Sequence, residues 1–251
     1  MTPIACVLAV PLALVAASAG HAAEAEPVVL RAADGVTVYG QVWRAAGAKP
    51  PLIVAFHQAE SSSAEYAPIA PRLVEAGFTV LAIDQRSGDG AFGGTNRTTA
   101  ALGRAARYDE ALPDLAAALA WAKVDAKGAS VIVWGSSYSA ALAFVLAAAH
   151  PSDVSAIVAF SPGEYLAGKQ TVRNAAAQVS VPVWIDQASS TDEIARSAAI
   201  LKAVKASDKR QFSAKVKSTH GSSTLRADTN PTGAETHWQA LLAFISRFRD
   251  S

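Results

Sequence analysis

Two hydrophobic rhythms alternate along the chain from residue 28 onward. Val28–Leu30 and Val36–Trp43 are strand-like stretches rich in β-branched residues. Between them lies Asp34-Gly35, a turn pair that favours a hairpin. Pro51–Phe56 is a continuous apolar run of the kind found in strands buried on both faces. Ala64–Ala76 has helical spacing and is followed by Gly77, a suitable terminator. Phe78–Ile83 predicts the next strand, and a glycine-rich loop, Gly88–Asn96, follows it. Arg104–Lys123 reads as one long amphipathic helix. The remaining chain predicts strands at Ser130–Trp134, Val154–Phe160, Val181–Ile185 and Gln211–Val216. Helices are predicted at Ala140–Ala149, Glu193–Val204 and Gly233–Phe248. A hairpin followed by repeated strand–helix units demands a mostly parallel sheet with helices on both faces. In such a sheet functional groups collect at the carboxyl ends of the strands.

The first residues break this rhythm. Ile4–Val15 is uncharged and apolar, shorter than the ~20 residues of a spanning helix, and followed by small residues. Ala17-Ser18-Ala19 and Gly20-His21-Ala22 both offer a small-x-small cleavage pattern. The expectation is a signal peptide over 1–22, a folded domain over 23–251, and a secreted or periplasmic protein with no stable membrane insertion after cleavage. The only cysteine of the chain, Cys6, lies in this segment, so the mature domain would carry no thiol.

Composition narrows the chemistry. There are 22 Lys+Arg against 21 Asp+Glu, a net charge of +1, which argues against a nucleic-acid surface or a polybasic anchor. A single cysteine excludes an internal disulfide and a thiolate metal cluster. No metal site is expected. There is no Gly-x-x-x-x-Gly-Lys loop and no His-Glu-x-x-His.

The strand ends carry a nucleophile, a base and an acid in order. Ser130–Trp134 runs into Gly135-Ser136-Ser137-Tyr138-Ser139, close to the Gly-x-Ser-x-Gly pattern that sets a serine on a sharp strand-to-helix turn. Ser139 stands where the second glycine would be. The plain alternative is an ordinary capped helix start. A serine needs a base. His150 and His237 sit at or within predicted helices, and His57 precedes the nucleophile. His220 alone follows the last strand in a loop, Ser218-Thr219-His220-Gly221, as the order Ser, acid, His requires. The acid belongs after Val181–Ile185. Asp192 is the first candidate and Glu193 the alternative, with Asp186 a lesser one. Ser190-x-x-Glu193 also reads as a capping box, which would occupy Glu193 with the helix start. The oxyanion donors expected are the backbone N–H groups of Tyr138 and Gln58.

With these pieces in place, about residues 28–250 resemble the α/β-hydrolase superfamily, in particular its small dienelactone-hydrolase-like and carboxylesterase-like members. Phe56-His57-Gln58, Ala82–Gly88, Gly135–Ser139 and Thr219-His220-Gly221 carry the resemblance. It implies an eight-stranded, mostly parallel sheet with an antiparallel second strand. It also implies hydrolysis of a small-molecule ester by a Ser137–Asp192–His220 triad, without a cofactor. Dienelactone hydrolases proper use cysteine where Ser137 stands here. Asp84 and Arg86 read as structural ion-pair residues. Only Ser161 to Val179 separates two strands where many relatives insert a cap, so the cleft should be open. Tyr138, Tyr165 and Phe92 are candidates to line it. The rival readings are a peptidase or amidase of the same fold and a binding protein that kept the fold without the chemistry.

Overall fold

The computed structural model describes residues 24–249; the expected signal segment, with Cys6, lies outside them. Eight strands form one sheet: β1 (Ala25–Arg31), β2 (Thr37–Trp43), β3 (Leu52–Phe56), β4 (Thr79–Asp84), β5 (Val131–Ser136), β6 (Ala156–Phe160), β7 (Val183–Asp186) and β8 (Lys209–Gln211). Their spatial order is β1-β2-β4-β3-β5-β6-β7-β8. β2 is antiparallel to both neighbours, and every other pairing is parallel. This is the sheet that the resemblance implies.

The period of two along each strand divides the core. Leu52, Val54, Phe56, Val131, Val133, Ile157, Ala159 and Ile185 point to one face. Ile53, Ala55, Ile132, Trp134, Ala156, Val158, Phe160 and Trp184 point to the other. The first face is covered by α3 (Leu112–Asp125), α4 (Tyr138–Ala149), α5 (Thr171–Ala176) and α6 (Thr191–Ala203). The second is covered by α1 (Ala70–Glu75) and α7 (Ala234–Ile245). On that face an aromatic chain runs Tyr66–Trp134–Phe160–Trp184–Phe244, with neighbouring ring centroids 5.0–6.5 Å apart. Each such ring buries a large apolar area, of order 1.5–3 kcal/mol per side chain.

Helices depart from expectation where proline and glycine decide. The helix expected over Ala64–Ala76 is broken into a 3-10 turn, Ser63–Tyr66, and the short α1. Pro68 and Pro71 lack the N–H that a continuous helix would need, and Pro71 sits in the first turn of α1. The helix expected over Arg104–Lys123 begins only at Leu112. Before it stands α2 (Arg97–Leu102), ended by Gly103 at φ +71°, and a 3-10 turn, Tyr108–Ala111. Pro113 then starts α3 rather than interrupting it. The strand expected over Gln211–Val216 is displaced to the short edge strand β8. Between β6 and β7 the only described helix is the six-residue α5.

Asp84 and Arg86 do hold ion pairs, though not with each other. Asp84 accepts from the Ser63 N–H (2.8 Å) and from Arg97 (3.1 and 3.3 Å). Arg86 is clamped between Asp34 (2.5 Å) and the wholly buried Asp114 (2.6 Å). Removing one partner from a buried pair strands the other charge, at a cost of about 3–5 kcal/mol. Asp114→Ala is therefore expected to lower the melting temperature by about 10 °C, at the usual 2–4 °C per kcal/mol for a domain of this size. A calorimetric scan showing no change would contradict the role given to this pair.

Candidate active site

β5 meets α4 with almost no connection. Ser137 is the single residue between them, and it is forced to φ +60°, ψ −123°, a conformation that L-residues rarely adopt. The turn is this tight because Gly135 has no side chain. A Cβ there would lie 2.4–2.5 Å from Ser139 O and the Ala140 backbone. Ser139 is tolerated at the second small position because its hydroxyl has partners. It donates to His57 O at 2.5 Å and meets the Gln85 side-chain amide. The Ser137 N–H is tied to Phe160 O (2.8 Å), which fixes the turn against β6.

The base comes from the turn after β8. His220 Nε2 is 2.8 Å from Ser137 Oγ, and its Nδ1 is 2.7 Å from Glu193 Oε1. These distances fit an Nδ1–H donating to the carboxylate and an Nε2 accepting the serine hydroxyl. Gly221, at φ +70°, lets the chain turn behind the imidazole. A Cβ there would meet Gln58 Oε1 and Ser136 Oγ at 2.5 Å. Ser137 is 7 % exposed, whereas the His220 side chain is 42 % exposed, so one side of the pair faces solvent.

The acid beside His220 is Glu193, which corrects the expectation of Asp192. The two are neighbours in the first turn of α6, about 100° apart around the helix axis. Asp192 falls on the exposed side. The capping box that argued against Glu193 forms only in its forward half. Ser190 Oγ accepts the Glu193 N–H (3.3 Å), but the Glu193 carboxylate does not return to Ser190. Instead Oε2 takes the Ala188 N–H at 3.1 Å, leaving Oε1 for the imidazole. Burial raises the Glu193 carboxyl. Hydrogen bonds from His220 and Ser161, the charge of His220 and the Ala188 N–H outweigh that and bring it to about 2. It is thus an anion throughout the neutral range.

Asp186 is wholly buried and 2.5 Å from His237 Nδ1, also wholly buried, so neither is available to Ser137. His57 is buried too. Its ring nitrogens meet Gln58 O (2.7 Å) and the Asn96 amide (3.3 Å), and burial pulls it down to about 4. His150 pairs loosely with Asp153 (3.7 Å) at the surface.

Of the two expected oxyanion donors, Tyr138 opens α4, where the first N–H groups have no intrahelical acceptor. Gln58 needs correction, because its N–H is already taken by Glu65 Oε2 at 2.7 Å. A buried carboxylate is a strong acceptor for an amide that reaches it. Nothing in the sequence singles out Glu65, since it lies in Ala64–Ala76, which reads as a plain helix. Of the aromatic candidates, Tyr138 is buried and stacks on Tyr108 at 4.2 Å. Phe92 lies under the Arg226 guanidinium at 4.3 Å. Tyr165 is half-buried, 3.3 Å from Ser161 O. Among the described residues no cluster of His, Cys, Asp and Glu could hold a metal ion, and no helix is long and apolar enough to cross a membrane.

Comparison with known proteins bears on the fold. A sequence profile described as serine aminopeptidase, S33, matches residues 48–167, which include the loop after β3 and the Ser137 turn but neither Glu193 nor His220. No curated protein sequence matches. Among solved structures, a dienelactone hydrolase from Anabaena variabilis superposes with a TM-score of 0.70 at 19 % identity, over 91 % of this chain and 100 % of that one. An esterase from Pyrococcus furiosus gives 0.65 at 17 %, over 90 % and 91 %. A thermostable carboxyl esterase from Bacillus coagulans gives 0.68 at 10 %, over 89 % and 98 %. At these identities the likeness establishes the α/β-hydrolase fold.

The arrangement predicts an order of sensitivity to a fluorophosphonate probe. Labelling of Ser137 should vanish in His220→Ala, slow by about 10³-fold or more in Glu193→Gln, and stay within about twofold in Asp192→Asn. If Asp192→Asn slowed labelling more than Glu193→Gln, the assignment of the acid would be wrong.

Proposed function

We propose that this α/β-hydrolase-fold protein is a serine hydrolase that cleaves carboxylic esters of small molecules through an acyl-enzyme. The observation that carries the reading is the unbroken relay at the end of β5: Ser137 Oγ to His220 Nε2 at 2.8 Å, and His220 Nδ1 to Glu193 at 2.7 Å. In the proposed reaction Ser137 attacks the ester carbonyl while His220 takes its proton. Glu193 orients the imidazole and balances the charge that forms on it. The tetrahedral oxyanion sits at the N-terminus of α4 and accepts from the Tyr138 N–H. The second donor is assigned to the Ala59 N–H, next in the loop after Gln58, on which no described group stands as acceptor. His220 returns its proton to the leaving alcohol. It then activates the water that frees the acyl group.

An ester substrate is favoured by the company the fold keeps, since two of the superposed structures are named as esterases. The serine aminopeptidase profile supports a second reading, amide cleavage by the same residues. The two separate on paired substrates. Turnover of p-nitrophenyl acetate should exceed that of a matching p-nitroanilide. Ser137→Ala should cut the ester activity by at least about 10³-fold. Ester turnover undiminished in Ser137→Ala would overturn the assignment, and faster anilide turnover would favour the peptidase reading.

We also propose that residues 1–22 direct export and are removed, leaving a secreted or periplasmic enzyme without thiols. Sequencing the amino terminus of the exported protein should start at or near residue 20–23. Retention of Met1 on the exported protein would contradict this.

A further inference from the structure

A carboxylate that takes no part in the relay lies directly behind it. Glu65, on the turn Ser63–Tyr66, is wholly buried. Its Oε2 accepts the Gln58 N–H at 2.7 Å, and its Oε1 meets the Ser136 hydroxyl at 2.7 Å. Ser136 Oγ in turn accepts the Ser222 N–H at 2.8 Å. One side chain therefore ties together the loop after β3, the residue before the nucleophile, and the turn that carries His220. The packing there is close: the missing Cβ of Gly221 leaves room for Gln58 Oε1 and Ser136 Oγ.

We propose that Glu65, as a carboxylate, is a positioning residue of the hydrolase, holding the oxyanion loop, the nucleophile turn and the base turn in mutual register. This rests on the serine-hydrolase reading above. The case is one of donor and acceptor count. The Gln58 N–H can only donate. The Ser136 hydroxyl accepts from the Ser222 N–H and donates to Glu65. Both groups facing Glu65 are donors, and an ionised carboxylate offers an acceptor to each without a proton of its own to place. An amide would present one acceptor and one donor to the same pair.

Burying such a group is costly, which is why its presence in this place asks for a function. Burial raises the Glu65 carboxyl to about 7, against the Ser136 and Gln58 hydrogen bonds and the positive charges of Arg226 and His220. The charged and titratable groups around it are few. Arg226 donates to the Glu65 carbonyl (3.1 Å) and is itself paired with Asp228 (2.6 Å). His220 acts through its charge, and the Tyr66 phenol is engaged with Phe56 O (2.7 Å). The sign of the linkage follows. A carboxyl raised on folding contributes stability at low pH that is lost as pH rises from the ordinary carboxylate range through about 7. Activity needs the ionised form and so rises over that window. Stability and activity run in opposite directions.

The test is Glu65→Gln, with p-nitrophenyl acetate kinetics and thermal melting followed between about pH 5 and pH 9. We expect kcat to fall about 10²-fold with KM changed less than about threefold, the scale of a small misplacement of reacting groups. The acid limb of the kcat profile should lose one ionisation, and the fall in melting temperature over the same pH window should flatten. Should Glu65→Gln fail to fold, Ser136→Ala removes one of the two donors and leaves the carboxylate in place. It should cost about tenfold in kcat, by loosening one tie of the register. The wild type is labelled with fluorophosphonate alongside. No labelling at Ser137 would overturn the hydrolase reading and this one with it. A labelled wild type with unchanged kcat and unchanged acid limb in Glu65→Gln, or unchanged kcat in Ser136→Ala where the first variant does not fold, would overturn the positioning role alone.

Discussion

The structure depends on one steric constraint: β5 must become α4 within a single residue. Gly135 has no room for a Cβ, and Ser137 is held at φ +60°. Everything at the site is arranged around that corner. The parallel pairing of β5 with β3 and β6 places the corner between the loops that follow those strands. The hydrogen bond from Ser137 N–H to Phe160 O pins the corner to β6. The strain is borne by an apolar core on both faces of the sheet, and α4, nearly all buried, is the helix that core grips most firmly. A serine in that position is presented to the His220 imidazole by geometry rather than by choice of rotamer.

Charge is placed with the same economy. Glu193 is partly buried yet stays ionised, because its oxygens are met by His220, Ser161 and the Ala188 N–H. Glu65 is wholly buried and held near neutrality, because two donors and a neighbouring cation offset only part of its desolvation. The two carboxylates thus both reach the His220 turn, Glu193 directly and Glu65 through Ser136, with their titrations pushed in opposite directions. One is a permanent anion against the imidazole, and the other is sensitive to pH in the neutral range. Asp186 and His237 form a further buried pair under β7, separate from the relay.

Much of this was legible in the chain. Strand ends are local features, so the Ser137 turn and the His220 loop could be read from apolar runs and the residues that stop them. The order of strands and helices gave the sheet. The acid was harder, because Asp192 and Glu193 differ by one helical step, and which one faces inward depends on where α6 begins. Pattern cannot fix that point to one residue. The capping signal at Ser190 was real, but only half of it forms. The Gln58 amide is engaged by Glu65, which lies on the turn Ser63–Tyr66 that forms where Pro68 and Pro71 break the expected helix. Long-range partners such as Ser136–Glu65 and Arg86–Asp114 leave no trace in local periodicity.

The central claim is that Ser137 becomes acylated during turnover. It is tested most directly by mass spectrometry of protein quenched while hydrolysing p-nitrophenyl acetate. The account predicts a species heavier by one acetyl group, with the modification on the peptide that contains Ser137, and its disappearance in Ser137→Ala. Hydrolysis that proceeds with no acetylated protein at any quench time, or acetylation mapped to another residue, would contradict it.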